Sequence, residues 1–126
     1  MTYRGTVRID PQPALRARVT RYGTYTPKKY QKYKESLAWL IKQLRIPKAP
    51  YGTLDVIFNI PFPKSYTKAQ RAQHAHVIKP DVDNLLKGLL DALTEAGVIV
   101  DDAGFFDVRA RKLWTGVQGR IDFELS

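Results

Sequence analysis

A run of leucines between Pro80 and Gly97 restricts the fold of this chain more than any other segment. Its side chains recur at the three- and four-residue spacing of an α-helix, at Leu85, Leu86, Leu89, Leu90 and Leu93. Asp83 precedes them at the position of an N-cap, and Gly97 follows them where a helix commonly ends. The pattern predicts a helix with one buried face, which needs a second layer to pack on.

The rest of the chain predicts a second helix and about four strands. Thr26 and Pro27 are typical of a helix start, as N-cap and first helical residue. A second helical stripe follows at Tyr30, Tyr33, Leu37, Leu40, Ile41 and Leu44. Alternating apolar residues predict strands near residues 3–9, 54–60, 105–114 and 121–125, the last two pairing as an antiparallel hairpin. We therefore predict an α/β (α+β) domain over residues 1–126, a small mixed β-sheet of about four strands with two main helices packed on it.

Composition excludes several classes of protein. A chain of 126 residues is long enough for one hydrophobic core and too short for two domains. It has no cysteine, which excludes disulfides, thiolate zinc sites and cysteine nucleophiles. No apolar run reaches the length of a membrane span, and no signal-peptide pattern opens the chain. We expect a soluble cytoplasmic protein with no membrane partner.

Positive charge is concentrated in the first two thirds of the chain. The net charge is +9, but residues 1–80 hold 16 Lys/Arg against 3 Asp/Glu, whereas residues 81–126 hold 5 against 9. An excess of this size attracts nucleic acid through counterion release. The alternative is a basic protein that its charge merely keeps soluble, and charge alone does not separate DNA from RNA or another acidic surface. The candidate phosphate contacts are Arg16, Arg18, Lys28, Lys29, Lys32, Lys64, Lys68, Arg71 and Lys79.

Carboxylates cluster where the leucine-rich helix begins. Asp81 and Asp83 are two residues apart, and in extended backbone that spacing directs both side chains the same way. Two like charges about 4 Å apart repel by about 4 kcal/mol at an effective dielectric of about 20. Such a pair either stays solvated or binds a cation. Carboxylate ligands without cysteine favour Mg²⁺ or Mn²⁺ over zinc.

Lys87 lies one helical turn after Asp83, on the same face of the helix. It could pair with Asp83 or with Asp91, or point into a site and stabilise charge on a phosphate under attack. A purely structural interpretation is equally open at this point. In it Asp83 is a plain N-cap, Lys87 and Asp91 form a surface ion pair, and Asp101 and Asp102 belong to a turn.

Several blocks together resemble the RusA family of Holliday junction resolvases, which are small dimeric endonucleases common in prophages. The strongest are Pro80-Asp81-Val82-Asp83-Asn84-Leu85-Leu86-Lys87, Leu90-Asp91-Ala92-Leu93 and Val100-Asp101-Asp102. Looser likenesses are Arg16-Ala17-Arg18, Tyr25-Thr26-Pro27 and Pro61-Phe62-Pro63-Lys64-Ser65. The resemblance spans nearly the whole chain, and residues after about position 80 carry most of its weight.

The resemblance implies a role for each matching residue. Asp81, Asp83 and Asp102 match the family's catalytic, metal-binding carboxylates, with Asp101 as the alternative to Asp102, and Lys87 matches its essential lysine. Mg²⁺, for which Mn²⁺ can substitute, would then lie at the scissile phosphate. The expected partners are a four-way DNA junction and a second copy of the chain, whose two sites allow paired nicks.

Other interpretations stay open on the sequence. One is a DNA- or RNA-binding module without chemistry, although acids that face phosphate bring such a module no benefit. Another is a magnesium-dependent nuclease that acts on flaps or RNA. His74 and His76 precede the acidic motif and could serve as general base or metal ligand, but we favour loop residues near DNA.

Overall fold

The structure, a computed structural model, describes residues 1–15 and 18–126. The chain runs in the order β1 (Tyr3–Val7), β2 (Arg18–Thr20), β3 (Gly23–Tyr25), α1 (Lys28–Gln43), β4 (Thr53–Pro61), a 3₁₀ turn (Gln70–Ala72), α2 (Val82–Glu95), a second 3₁₀ turn (Asp102–Gly104), β5 (Asp107–Thr115) and β6 (Arg120–Leu125). The two long helices and the main strands lie where the apolar spacing predicts them.

Four strands form one mixed sheet in the order β1-β6-β4-β5. β6 is antiparallel to β1 on one side and to β4 on the other, whereas β4 and β5 are parallel. A parallel pair needs a long crossover, and here that crossover contains α2. β2 and β3 form a separate two-stranded pair. The predicted α+β class, with a small mixed sheet and two main helices, is confirmed.

The predicted hairpin of the last two strands is wrong. β5 and β6 follow one another in the chain, but β4 lies between them in the sheet and pairs with both. Alternation identifies strands without identifying their partners, and a short connection made the hairpin the simplest pairing. The correction places β5 at the edge of the sheet.

Both helix starts differ from the prediction by one or two residues. The N-cap of α1 is Pro27 rather than Thr26, and the N-cap of α2 is Asp81 rather than Asp83, which lies inside the first turn. The predicted end of α2 is confirmed, because Gly97 has a φ of +77°, the left-handed backbone that glycine adopts without a steric penalty.

The core lies between the helices and one face of the sheet. Each helix buries a stripe, which includes Tyr30, Tyr33, Leu37 and Ile41 on α1 and Leu85, Leu89, Ala92 and Leu93 on α2. The sheet contributes Leu54, Val56, Phe58, Ile121, Phe123 and Leu125. This packing fixes α2 against α1. Residues at the outer edge of the contact between the two helices therefore lie close to one another. Within residues 1–15 and 18–126 no helix has both the length and the apolar character to cross a membrane.

Candidate active site

The first turn of α2 carries two of the predicted catalytic acids. Asp81 has extended backbone at the N-cap, and its side chain makes no capping hydrogen bond to the helix. Its Oδ2 instead accepts a hydrogen bond from Lys79 Nζ at 3.1 Å, in a salt bridge between two well-exposed side chains. Asp83 lies within the first turn, where the helix dipole favours a negative charge. The Asp81 carboxylate is therefore not committed to the helix and is accessible to a ligand.

Lys87 lines an open groove beside α2, to which Lys34 of α1 also contributes. Its Nζ is 2.9 Å from Asp91 Oδ1, one helical turn further along α2. The same carboxylate accepts a hydrogen bond at 2.5 Å from the hydroxyl of Tyr30 on α1. Burial, followed by this hydrogen bond, raises the pKa of Tyr30, so that the hydroxyl remains a donor. Asp91 thus binds Lys87 on its own helix and is itself bonded to Tyr30 of α1.

The second 3₁₀ turn brings the other two predicted acids to the same groove. Lys87, Asp91, Asp101 and Asp102 all line it, together with Lys34. The hydrogen bond to Asp91 raises the pKa of Lys87, and the charges of Asp102 and Asp101 raise it further. Lys87 therefore stays protonated and lies within electrostatic reach of both aspartates.

Asp101 and Asp102 differ although they are neighbours. Asp101 Oδ1 caps the 3₁₀ turn by accepting the Ala103 N–H at 3.1 Å. A hydrogen bond from the Asp102 carboxyl lowers the pKa of Asp101, and the Ala103 N–H lowers it further. The same shared hydrogen bond, followed by partial burial, raises the pKa of Asp102. Two neighbouring carboxylates repel one another when both are charged, and a bound cation relieves that repulsion.

The structure brings some of the predicted site residues together and leaves others apart. Lys87, Asp101 and Asp102 border one groove. Asp81 and Asp83 lie at the start of α2, one to two turns before Lys87. Within residues 1–15 and 18–126, no three His, Cys, Asp or Glu side chains are close enough to hold a metal ion. The donor set itself, carboxylates without sulfur, fits a hard divalent cation. The ligand assignment therefore stays a prediction.

Sequence reasoning did not assign a place in the site to Tyr30. Its position in the apolar stripe of α1 predicts a core residue, and its ring is indeed buried. No pattern in the sequence shows that its hydroxyl reaches Asp91 across the helix interface. The four-residue spacing leaves Asp83 and Asp91 open as partners of Lys87, and the structure shows the pair with Asp91 at 2.9 Å.

The two histidines that precede the acidic motif have different surroundings. His74 is exposed, whereas His76 is buried, with 4% of its surface accessible. The His76 ring packs on Trp114 with ring centroids 4.2 Å apart. Burial, followed by the charge of Lys112, lowers the pKa of His76. His76 thus serves as an anchor of the loop on β5 in this structure.

The predicted DNA contacts lie on several surfaces. Lys28, Lys29 and Lys32 are exposed on the first turns of α1, and Lys64, Lys68 and Lys79 are exposed on the segment between β4 and α2. Arg18 lies in β2, and Arg16 lies outside the described residues.

Arg71 is exposed, but its side chain also contacts other residues of its own loop. Its guanidinium lies over the Phe62 ring, 5.6 Å from the centroid, and donates to the Tyr66 and Pro63 carbonyls. Phe62 in turn stacks on Trp114 of β5. Arg71 therefore ties the 3₁₀ turn to the base of its own loop, and its loss would disturb the loop as well as remove a charge.

Comparison with known proteins gives two matches. Residues 8–126 match the family model described as endodeoxyribonuclease RusA. The chain is also similar to a protein of Enterobacteria phage HK97 named crossover junction endodeoxyribonuclease rusA. The two are 32% identical over 116 residues, which cover 90% of this chain and 87% of the phage protein. The family match extends well beyond the acidic motif and includes every element from β2 to β6.

Proposed function

The chain belongs to the RusA family of endodeoxyribonucleases, and we propose that it resolves four-way DNA junctions by paired, divalent-metal-dependent nicks. The observation that carries the proposal is the groove in which Lys87, Asp101 and Asp102 meet beside α2. The name of the phage relative, crossover junction endodeoxyribonuclease, supplies the substrate class. A groove that combines a protonated lysine with paired carboxyls can both hold a cation and accept a phosphate oxygen.

We assign the metal to Asp81, Asp83 and Asp102, with Mg²⁺ as the expected ion and Mn²⁺ as a substitute. When bound, such an ion activates a water molecule and neutralises the leaving oxygen. The ammonium of Lys87 would stabilise the negative charge that develops on the phosphate. Its pKa, raised first by the hydrogen bond to Asp91, supports this role because only the charged form is useful there.

Binding of the junction is assigned to the basic surfaces. The exposed lysines of α1 and of the loop before α2 supply positive charge that attracts phosphate. Arg16 and Arg18 complete the proposed set of contacts. Two nicks in one junction need two sites, so we propose that the active form is a symmetric homodimer of this 126-residue domain. Its substrate places the protein in the cytoplasm.

Asp81→Asn tests the proposal most directly. We expect the wild-type protein to cut a synthetic four-way junction in the presence of Mg²⁺, and the variant to bind the same junction without cutting it. The substitution removes a charged metal ligand while it changes shape little. Cleavage is measured on denaturing gels, and binding is measured in Ca²⁺ at two salt concentrations, since salt weakens phosphate contacts.

Linear duplex and a flapped duplex serve as control substrates. Equal cleavage of the flap and the junction would assign the chain to a broader class of branched-DNA nucleases. Full cleavage by Asp81→Asn would remove Asp81 from the metal site. Sedimentation of the wild-type protein as a monomer on the junction would refute the dimer.

A further inference from the structure

The segment before α2 is attached to the outer edge of β5. His76 donates its backbone N–H to the Lys112 carbonyl at 3.1 Å, and Trp114 donates its backbone N–H to the His74 carbonyl at 2.9 Å. Ala75 and Leu113 form an antiparallel bridge between these two bonds. The loop is therefore attached to the sheet through a single β-bridge with two flanking hydrogen bonds, and this attachment ends five residues before the first acid of the motif.

Lys112 extends this attachment towards α2 through its side chain. Its Nζ donates to the Ile78 carbonyl at 2.8 Å and to the Pro80 carbonyl at 2.8 Å. Hydrogen bonds from an ammonium are stronger than those between neutral groups. Lys112 is half-buried, which limits the competition from water for these two bonds. One side chain thus fixes two carbonyls within three residues of the chain.

The second of these carbonyls belongs to the residue directly before Asp81. Asp81 is the N-cap of α2 but makes no side-chain capping bond, so the helix end does not orient its carboxylate. Its one recorded side-chain partner, Lys79, is itself well exposed. The direction of the Asp81 side chain is therefore set largely by the main chain that leads into it. Lys112 holds that main chain.

We infer that Lys112 is a positioning residue for the metal site: by binding the carbonyls of Ile78 and Pro80, it sets where the carboxylate of Asp81 lies. The inference rests on the proposed function, because it uses Asp81 as a metal ligand. Lys112 itself contacts neither metal nor DNA in this scheme. A ligand that is held less firmly binds its ion more weakly and orients it less well, and outer partners of metal ligands typically contribute about 10–100-fold in metal affinity or activity.

The test compares Lys112→Met, Lys112→Arg and Arg109→Met with the wild-type protein. Methionine keeps most of the volume of lysine but cannot donate, whereas arginine can still reach a carbonyl. Arg109 lies in the same strand and is exposed, so its replacement removes an equal charge without touching the loop. We expect Lys112→Met to lower kcat on the junction and the affinity for Mn²⁺ by about 10–100-fold each, with KM for DNA changed less than about threefold.

Two readouts do not depend on activity. Mn²⁺ binding to the free protein is measured by electron paramagnetic resonance, and amide hydrogen exchange is followed in peptides that cover residues 77–86. Lys112→Met should exchange faster there, and Lys112→Arg should restore part of both the exchange protection and the Mn²⁺ affinity. Arg109→Met should match the wild-type protein in each measurement.

Several results would overturn the inference. Unchanged Mn²⁺ affinity in Lys112→Met would do so, as would an equal loss in Arg109→Met, which would show a general effect of charge. If Lys112→Met does not fold, Lys112→Arg decides. Wild-type hydrogen exchange together with weak Mn²⁺ binding in that variant would show that holding the loop does not determine metal affinity, and would overturn the inference. If the wild-type protein neither bound Mn²⁺ nor cut DNA, the proposed function would fail, while hydrogen exchange would still report whether Lys112 holds the loop.

Discussion

The beginning and the middle of α2 are held in place by different means. The beginning is fixed through the main chain, because Lys112 binds the carbonyls of Ile78 and Pro80 and residues 74–76 pair with β5. The middle is fixed through charged side chains, because Asp91 bonds both to Lys87 on its own helix and to Tyr30 on α1. The first support orients Asp81, and the second holds Lys87 in the groove that Asp101 and Asp102 also line.

The difference shows what each half of the site can tolerate. A carboxylate that depends on its main chain can change partners without a change in the fold, since Asp81 has no capping bond to lose. A lysine held by an acid keeps its direction only while that acid is charged and in place. Substitutions in the groove should therefore affect chemistry directly, and substitutions in the loop should affect it through position.

The largest effect is expected within the pair of neighbouring aspartates. Asp102→Asn should reduce cleavage by about 10³-fold, since a bound metal contributes several kcal/mol to transition-state stabilisation and each 1.36 kcal/mol is a factor of about ten. Asp101→Asn should cost about 10–100-fold, on the scale of an outer partner. Asp101 is engaged as the cap of the 3₁₀ turn, with its Oδ1 on the Ala103 N–H, whereas Asp102 has no such bond. Single-turnover rates on the junction, at saturating Mg²⁺, measure both variants.

Thermal unfolding provides the control for this pair. Neither Asp101→Asn nor Asp102→Asn should lower Tm appreciably, because asparagine keeps an acceptor for the Ala103 N–H and caps about as well as aspartate. A reversed order of the two cleavage rates would make Asp101 the ligand. Equal and small losses in both variants would exclude the 3₁₀ turn from the metal site altogether.

A smaller effect is expected from the support of Lys87. Asp91→Asn should reduce the cleavage rate by about 10–100-fold, because it removes the charge that orients the ammonium, and Tyr30→Phe should stay below about tenfold. Tyr33→Phe is the matched control, since it deletes a hydroxyl from the same helix that is not the one bonded to Asp91. Junction affinity should remain within about twofold in all three, as none of them belongs to the proposed DNA contacts. A Tyr33→Phe loss as large as that of Tyr30→Phe would show that packing of α1, rather than the hydrogen bond, matters.

Local periodicity is sufficient to predict the elements of this fold but not their pairing. The leucine stripe of α2 and the alternation in β4 and β6 are set by neighbours in the sequence, and the structure confirms them. The partner of β5 is decided by packing over a whole layer, because α2 must cross over the sheet before β5 begins. The short connection between β5 and β6 predicts a hairpin, but β5 pairs instead with β4, which the crossover through α2 joins to it.

The same limit applies to the site. The spacing of Asp83, Lys87 and Asp91 on one helix allows Lys87 to pair with either aspartate, and the structure shows the pair with Asp91. The contact of Tyr30 with Asp91 joins residues 61 positions apart and depends on how two helices cross. The bonds of Lys112 to two carbonyls depend on the edge position of β5, which pairing alone determines. The sequence predicts the candidate site residues, whereas the residues that would support them are found only from the tertiary structure.

The smallest effect is expected in the pH dependence of stability at the beginning of α2. His76 is buried against Trp114, and burial, followed by the nearby charge of Lys112, lowers its pKa in the folded protein. The unfolded chain takes up a proton on this histidine near pH 6.5, while the folded protein remains neutral until a lower pH. The free energy of unfolding therefore falls as the pH drops below about 6.5 and levels off below the folded pKa. Scanning calorimetry between pH 8 and pH 5 should show a small decrease in Tm that His76→Gln abolishes. The exposed His74 provides the control, because His74→Gln should keep the full decrease. If the decrease in Tm persists in His76→Gln, carboxylates elsewhere cause the acid sensitivity. Lys112 would then be the main support at the beginning of α2.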